Sequence, residues 1–481
     1  MDSVYRIFAT SLVLIVGLLF PNAGSAQLTP EALSNRVSSI VREANLGENV
    51  SVVIANAATG SRLHERRGDA LMNPASNMKL LTAAAALDVL GPAFRMRTGL
   101  YGRIGDGGRV SDLVIRGSGD PSLRMSDLVE LASGLPRRGV QRIGRVTVDG
   151  SYFDDEILPP LFEQQPNEIA SFRAPVSAVA VERASFVLHV LPGTEPGSPA
   201  QVSLVAPGYF DLQNRITTTD GGEPRVVAIQ SGDGPQLSLR VRGTIPFGNA
   251  GLHYRRRVGN PLYHAGHSLA MAVRRAGMRS SGRVRVAHVT QSLPLLAQRH
   301  SAPLSQLLCA AGKSSDNFTA EMVYRVLGAE RARPGTFDNS ALVVREYLER
   351  AGADVTSLSI RNGSGLFVGN EITANAVVAV LNHMYNAPGL RPEYLSHLAI
   401  GGEDGTLRRR LRDLPQPRIV RAKTGTLNDV IALSGYVIGP GPSSAVSFSI
   451  LLNGIRGKQG RSRRLADEIV SVIAEYLYPA S

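Results

Sequence analysis

The sequence predicts an α+β protein in which an antiparallel sheet with flanking helices carries a large β-rich insertion. Near the N-terminus, residues 52–55 and 62–65 have the composition of two strands joined by a turn that contains Asn and Gly. Near the C-terminus, residues 419–454 predict strand, turn and strand, and residues 463–478 predict a closing helix. The two ends therefore predict one mixed domain, and the stretch between them has a different character.

Helices and strands alternate in blocks along the rest of the chain. An alanine- and leucine-rich stretch after residue 79 predicts a helix that Gly91-Pro92 ends. From residue 99 to about residue 288, short alternating runs between Gly, Pro and Asp turns predict strands, interrupted by one helix at 126–135. Helices return at 303–311, 317–327 and 340–351.

Composition places the chain among ordinary globular proteins. Hydrophobic residues make up 43% and charged residues 19% of the 481 residues. The formal net charge is +12, but there is no zinc finger, RNP-like aromatic run or concentrated Lys/Arg tract, so we expect no nucleic-acid partner. The dispersed arginine clusters instead predict a solvated surface that attracts anions. The one cysteine, Cys309, excludes an internal disulfide and is expected to be a buried small hydrophobe.

Residues 1–26 have the pattern of a secretory signal peptide. Arg6 precedes an apolar run at 7–20, and small residues at 23–26 offer a cleavage site after Ala26. The run is short for a membrane span, which leaves an uncleaved anchor as the alternative interpretation. No later stretch reaches the ~18 apolar residues that a membrane helix needs. We therefore expect the mature chain to be exported to the periplasm without an integral membrane segment.

Three short strings stand in order along the chain, and together they match the S-x-x-K, S-D-N and K-T-G set of serine acyl-transfer enzymes. They are Ser76-Asn77-Met78-Lys79, Ser315-Asp316-Asn317 and Lys423-Thr424-Gly425. Ser315 lies 239 residues after Ser76, and Lys423 lies 108 residues after Ser315. Each string alone is common, and an isolated Ser76 at a helix start would be interpreted as an N-cap. The ordered set points to acyl transfer.

Ser76 and Lys79 have the spacing of a nucleophile and its base. A free hydroxyl is a poor nucleophile near neutral pH and needs a proton acceptor. Three residues apart on a helix, the two side chains share a face. A lysine that is partly desolvated and flanked by other cations can lose its proton near pH 7. We therefore predict Ser76 as nucleophile and Lys79 as general base.

With these motifs and an insertion of about 190 residues between the first two, the chain resembles the class C low-molecular-mass penicillin-binding proteins of the DacB type. Other strings are similar to those of this family: Gly117-Ser118-Gly119-Asp120-Pro121-Ser122-Leu123, Ala174-Pro175-Val176-Ser177-Ala178, Gln213-Asn214-Arg215, Asn362-Gly363-Ser364-Gly365-Leu366 and Asp404-Gly405-Thr406-Leu407. The resemblance implies a penicillin-binding-protein/β-lactamase-like transpeptidase fold. Its catalytic domain would comprise residues 27–96 and 289–481, and residues 97–288 would form an inserted region of two nested smaller domains.

The resemblance also implies a reaction. We expect a serine-type D-Ala-D-Ala carboxypeptidase with DD-endopeptidase activity on peptidoglycan stem peptides, acting through an acyl-enzyme and inhibited covalently by β-lactams. Ser315 would relay a proton to the leaving amine, and Asn317 would contact the substrate backbone and Lys79. Lys423 would attract the terminal carboxylate of the substrate and lower the pKa of Lys79 by like-charge repulsion.

Further substrate contacts follow from the third motif. Thr424, Gly425 and Thr426 are expected to bind substrate, with the two hydroxyls on its terminal carboxylate. The backbone N–H groups of Ser76 and Thr426 would form an oxyanion hole, where charge develops in the transition state.

Two positions concern the side chain of the substrate. Val368 stands where the family has an arginine that anchors the free carboxylate of diaminopimelate. Asp154 matches a family carboxylate that meets the amine of the same side chain. The sequence therefore predicts that one half of this recognition is kept and the other half is lost.

Other chemistries find no support in the sequence. No H-E-x-x-H or C-x-x-C spacing exists, so we expect neither a metal nor a cofactor. His64, His300 and His397 are interpreted as surface or packing residues. The alternative functions are a β-lactamase or esterase on the same scaffold and a non-catalytic peptidoglycan-binding protein. Rapid turnover of nitrocefin would favour the first alternative, and the intact motif set argues against the second.

Overall fold

The computed structural model describes residues 28–441 and 444–479, so the predicted signal peptide lies outside the described residues. Helices and sheets mix along the chain, which confirms the predicted α+β class. The α-helices of the described part are α1 Pro30–Glu43, α2 Met78–Leu90, α3 Met125–Ser133, α4 Pro261–Arg275, α5 Leu304–Lys313, α6 Asn317–Arg331, α7 Phe337–Arg350, α8 Ala374–Tyr385, α9 Arg391–Ser396 and α10 Gln459–Leu477.

A central sheet of six strands is antiparallel throughout, as expected. From one edge to the other its strands are β18 Ala399–Ile400, β19 Val420–Thr426, β20 Ile431–Ile438, β21 Ala445–Leu452, β1 Val50–Asn56 and β2 Arg62–Arg66. Residues 419–454 thus hold three strands where the sequence predicts two. The additional turn lies at residues 427–430, where Asn428 and Asp429 are residues of types that favour turns.

Helices cover both faces of this sheet, so its middle strands are buried on both sides. Successive residues of β1 point to opposite faces. Val52 and Ile54 pack in a core with α1 and α10, whereas Val53 and Ala55 pack in another core with α8. Helices α2 and α6 pack against each other in a third core, and each begins at one of the predicted motifs.

Four further sheets contain the remaining strands. The five-stranded sheet consists of β16 Val284–Val286, β8 Val146–Asp149, β6 Leu113–Gly117, β3 Arg97–Tyr101 and β17 Leu295–His300. The four-stranded sheet consists of β15 Arg279–Ser280, β7 Arg142–Ile143, β5 Arg109–Val110 and β4 Ile104–Gly105. The two three-stranded sheets consist of β10 Gln201–Ser203, β9 Ser185–Leu191 and β14 Leu252–Arg257, and of β11 Phe210–Thr219, β13 Leu237–Pro246 and β12 Arg225–Ser231.

These strands group in a way that bears on the predicted insertion. The five-stranded and four-stranded sheets share a core with α3 and α4. The strands of the two three-stranded sheets, residues 185–257, lie between α3 and α4 in the sequence. We propose that these groups are the two nested domains. Strand β17, assigned from sequence to the catalytic domain, pairs with β3 of the inserted region.

Helix α4 lies in a region for which the sequence predicts strands. Asn260 caps it by accepting from the N–H groups of Leu262 and Tyr263, and Pro261 occupies its first position. An Asn-Pro start is a recognisable helix signal. The frequent glycines and short apolar runs around it obscured that signal.

Several single-residue expectations can be compared with the structure. Cys309 is half-buried rather than buried. His64 and His397 are buried, and His300 is exposed, which agrees with their interpretation as packing and surface residues. Within residues 28–441 and 444–479, no helix combines the length and apolar character needed to cross a membrane.

Candidate active site

Ser76 lies in the 3-10 turn Ala75–Asn77 that leads into α2, as the sequence predicts. Two asparagines hold this turn. Asn73 accepts from the N–H of Ala75 at 2.8 Å and donates to the carbonyl of Phe367 at 3.0 Å. Asn77 donates to the hydroxyl of Ser434 in β20 at 2.7 Å. The turn is thus tied to the central sheet and to the segment before α8, which fixes the position of the Ser76 hydroxyl.

The amine of Lys79 lies at the centre of the site. It donates to Ser76 Oγ at 3.0 Å, to Asn317 Oδ1 at 2.8 Å and to the carbonyl of Ser364 at 2.7 Å. Burial lowers the pKa of Lys79 to about 7, and the charges of Glu321 and Asp316 act in the opposite direction. Of the two causes expected from the sequence, partial desolvation and repulsion from Lys423, burial is the main one.

The second motif joins the end of α5 to the start of α6. Asp316 accepts from the N–H groups of Phe318 and Thr319 and so caps α6. Ser315, with φ +57°, is in the left-handed region. The side chains of Ser315 and Asn317 contact the two lysines of the site, whereas that of Asp316 bonds to the helix start.

Lys423 lies on β19 and its side chain is fully buried. Its amine donates to Ser315 Oγ at 2.8 Å and to the carbonyl of Thr424 at 2.7 Å. Burial, and next the charge of Lys79, lower the pKa of Lys423 well below its ordinary value. Direct hydrogen bonds therefore form two groups, one of Ser76, Lys79 and Asn317 and the other of Ser315 and Lys423.

The rest of the third motif follows along β19. The Thr424 hydroxyl donates to Thr406 Oγ1 at 2.8 Å, and Thr426 is exposed. A Cβ at position 425 would lie 2.9 Å from the Pro74 carbonyl oxygen and 3.0 Å from Ala75 Cβ. Gly425 therefore allows the strand to approach the turn that carries Ser76, and this close approach explains the glycine of the motif.

Two cavities flank the motif residues, and Phe172 lines both. One, of about 450 Å³, includes Ser315 and Asn317 in its wall. The other, of about 770 Å³, includes Thr426 and Val368. The Phe172 carbonyl accepts from Asn317 Nδ2 at 3.1 Å, so this residue of the inserted region lies directly against the site. We call these the Ser315 cavity and the Thr426 cavity.

Comparison with known families agrees with this geometry. The D-Ala-D-Ala carboxypeptidase 3 (S13) family matches residues 33–476. The chain belongs to this family. It is accordingly a serine-type D-Ala-D-Ala carboxypeptidase, a hydrolase.

Individual relatives support the assignment over nearly the whole chain. The chain is 35% identical over 474 residues to the D-alanyl-D-alanine carboxypeptidase of Actinomadura sp. (strain R39), which covers 95% of this chain and 86% of that protein. It is 26% identical to D-alanyl-D-alanine carboxypeptidase DacB of Haemophilus influenzae, over 88% of this chain and 89% of that protein. The crystal structure of H. influenzae penicillin-binding protein 4 (dacB) has the same fold, with a TM-score of 0.76, 24% identity, and coverage of 90% and 99% of the two chains.

Asp154 has an ion-pair partner within the chain that the sequence does not predict. Its carboxylate accepts from Nη2 of Arg325 at 2.7 Å, and that guanidinium is buried. Arg325 lies eight residues after Asn317 on α6, which is a rise of ~12 Å along a helix. A buried guanidinium needs an anionic partner. Asp154 is therefore a counterion of Arg325, and its predicted contact with a substrate amine stays a prediction.

Val368 does border the site. Its side chain is 60% exposed and lines the Thr426 cavity, and its backbone N–H and carbonyl bond to the side chain of Gln164. Arg463 of α10 lines the same cavity. An arginine thus lines the same cavity as Val368.

Sequence reasoning assigned no role to Glu321. This carboxylate is fully buried and accepts from the N–H groups of Gly363 at 3.0 Å and Ser364 at 2.7 Å. It thereby holds the Ser364 carbonyl that accepts from Lys79. The available signal was spacing, because Glu321 lies four residues after Asn317 and so shares its helix face.

In the described ranges, no group of three or more His, Cys, Asp or Glu side chains is arranged to hold a metal ion.

Proposed function

We propose that this S13 carboxypeptidase acts through a serine acyl-enzyme, with Ser76 as nucleophile and Lys79 as general base. The single observation that carries the proposal is the buried Lys79 amine, which lies 3.0 Å from Ser76 Oγ. Its pKa of about 7 lets a large fraction be neutral near physiological pH, and a neutral amine can take the hydroxyl proton. Hydrogen bonds from Lys79 to Asn317 and Ser364 fix the direction of the lone pair.

The contacts support the following reaction. Ser76 Oγ bonds to the carbonyl carbon of the penultimate D-Ala while its proton passes to Lys79. The negative oxygen faces the backbone N–H groups of Ser76 and Thr426. The amide C–N bond breaks, and Ser315, held by Lys423, relays a proton to the leaving amine. Water then hydrolyses the ester and releases the shortened peptide.

Substrate would bind along the open edge of β19. This strand pairs with β18 only at Arg421 and Ala422, so residues 423–426 have no strand partner on that side within the described part of the chain. An extended stem peptide can add to such an edge by main-chain hydrogen bonds. Thr424, Gly425 and Thr426 would then contact it, and the charge of Lys423 would favour its terminal carboxylate.

The finer parts of the proposal have separate support. The Ser315 cavity leaves room beyond the scissile bond, which supports DD-endopeptidase activity on cross-linked stem peptides. H. influenzae penicillin-binding protein 4 has been crystallised with a β-lactam, and the contact of Lys79 with Ser76 here supports covalent inhibition by β-lactams. The signal-like pattern of residues 1–26 supports export to the periplasm.

Labelling of the purified chain with fluorescent penicillin tests the mechanism. The parent protein should form a stable adduct and release D-Ala from a pentapeptide. Ser76→Ala should lose both properties while keeping its unfolding temperature, because only one oxygen is removed. Undiminished labelling of Ser76→Ala would place the nucleophile elsewhere. Fast nitrocefin turnover without a stable adduct would favour a β-lactamase, and absence of any reaction would favour a binding protein.

A further inference from the structure

The Ser315 cavity is built from two parts of the chain. Its core wall is the second motif, Ser314 to Asn317, and its opposite wall comes from the inserted region through Phe172, Arg124, Arg183 and Arg255. Its volume of about 450 Å³ lies in the range of pockets that bind whole small ligands. A single D-Ala leaving group would fill only a small part of such a space.

The charge of this cavity is positive once paired groups are set aside. Asp316 caps α6 and forms an ion pair with Arg183, and Glu182 accepts from the N–H of Met125 at 3.0 Å. Arg124 and Arg255 form no ion pair with any described residue. Three arginines and two carboxylates line the cavity, so Arg124 and Arg255 together leave an excess of one positive charge over Glu182, and guanidinium is well suited to bind carboxylates.

The neighbours of Arg255 show that it differs from the rest of its arginine cluster. Arg256 lies over the ring of Tyr254, and Arg257 donates to the carbonyl of Glu168 at 3.2 Å. Arg255 is exposed at the cavity instead.

The backbone that forms the inserted wall is strained. Glu182, Arg183 and Ala184 have φ of +53°, +61° and +48°, which side-chain-bearing residues rarely adopt in succession. The run is held by hydrogen bonds from the Glu182 N–H to the Leu123 carbonyl and from the Val258 N–H to the Ala184 carbonyl, both at 2.9 Å. Such strain is typical of functional sites. Here it brings Arg183 against Asp316 and so shapes the wall beside Ser315.

We propose that the Ser315 cavity binds the acidic leaving peptide of a cross-linked substrate, with Arg124 and Arg255 contacting its carboxylates. The inference rests on the proposed function, because Ser315 marks the leaving side of the scissile amide only if it relays the proton there. When the amide of a cross-link breaks, the departing amine belongs to a second stem peptide that carries several carboxylates. The cavity has the position, volume and charge for that peptide.

A comparison of two substrates tests the proposal. One is a purified cross-linked dimer of stem peptides, and the other is the monomeric pentapeptide with the same third residue. Arg124→Gln combined with Arg255→Gln should lower kcat/KM on the dimer about tenfold at low salt, the size of one lost charge-assisted contact. On the pentapeptide the change should stay below about twofold, and the rate of acylation by penicillin should not change. The control is Arg242→Gln, which removes an exposed arginine of β13 that does not line this cavity.

The possible outcomes test the cavity assignment and the acyl-enzyme mechanism separately. A selective loss on the dimer, reduced by added salt, supports the cavity assignment. Three results would overturn the cavity assignment and leave the acyl-enzyme mechanism standing. They are an equal loss of kcat/KM on both substrates, a loss no larger than that of Arg242→Gln, and a parent enzyme that cleaves the pentapeptide but not the dimer. A parent protein that penicillin does not label would overturn the mechanism and the cavity assignment together.

Discussion

Lys79 and Lys423 are both buried lysines within one site, yet their surroundings differ. The Lys79 amine has three oxygen acceptors and two carboxylates in its field, and burial lowers its pKa to about 7. The Lys423 amine has two acceptors, and for it burial and the charge of Lys79 both act downward on the pKa. The first lysine is thus balanced between its two protonation states.

The difference suggests a division of work. A base must be neutral before the reaction and charged during it, which is what a pKa near the working pH allows. A buried amine without a nearby carboxylate lacks a partner for its positive charge. The terminal carboxylate of a substrate would supply that partner to Lys423. We therefore expect Lys79 to handle the proton and Lys423 to respond to the bound anion.

The largest expected effect comes from replacing Lys79. Lys79→Arg keeps a positive charge but cannot be deprotonated near neutral pH, and Lys79→Met removes the base. Both should lower the rate of acylation by penicillin about 10³-fold or more, within the range of general-base catalysis. Stopped-flow acylation measures this, with circular dichroism as the control for folding. Substantial activity of Lys79→Arg would show that Lys79 acts by its charge. The two lysines would then not differ in role.

Lys423 should respond differently to the same substitutions. Lys423→Ala should cut acylation about 10²-fold, as expected for loss of an electrostatic contact at the reacting centre. Lys423→Arg should keep a larger share of activity than Lys79→Arg, because charge rather than proton transfer is required. Kinetics on a D-Ala-D-Ala peptide and on the same peptide with an amidated terminus would separate the roles. If Lys423→Ala lowers the activity on both peptides equally, the charge of Lys423 does not act on the carboxylate.

The sequence predicted much of the site because local spacing and turn chemistry determine it. The pairing of Ser76 with Lys79 follows from one helical turn, and the opposite directions of Asp316 and Asn317 follow from a helix cap. The position of Lys423 beside Ser315 could be expected only through the family resemblance, because it depends on how β19 packs against the start of α6. Lys423 and Ser315 are 108 residues apart in the chain.

The features that the sequence does not predict have a common physical origin. Asp154 forms an ion pair with Arg325, which lies 171 residues away, and residue type alone does not reveal that contact. Helix α4 was missed although Asn260 and Pro261 mark its start, because local composition favoured strands. The low pKa of Lys79 depends more on burial than on neighbouring cations, and this balance is set by the packed core, which the sequence pattern does not show.

The smallest of these effects, and the most specific, concerns Glu321. Its negative charge raises the pKa of Lys79, and its oxygens fix the N–H groups of Gly363 and Ser364. Acylation requires neutral Lys79, so the parent rate should rise with pH through a midpoint near 7. Glu321→Gln removes the charge that favours the ammonium form, so the midpoint should move to lower pH. The maximum rate should fall only several-fold, because a glutamine amide can still accept one of the two hydrogen bonds.

Acylation rates measured from pH 5 to pH 9 on parent and variant give both quantities, with Glu330→Gln on the last turns of the same helix as the control. An unshifted midpoint would mean that Glu321 supports the fold of the Ser364 loop without acting on Lys79. A midpoint that moves upward would show that another group is the base.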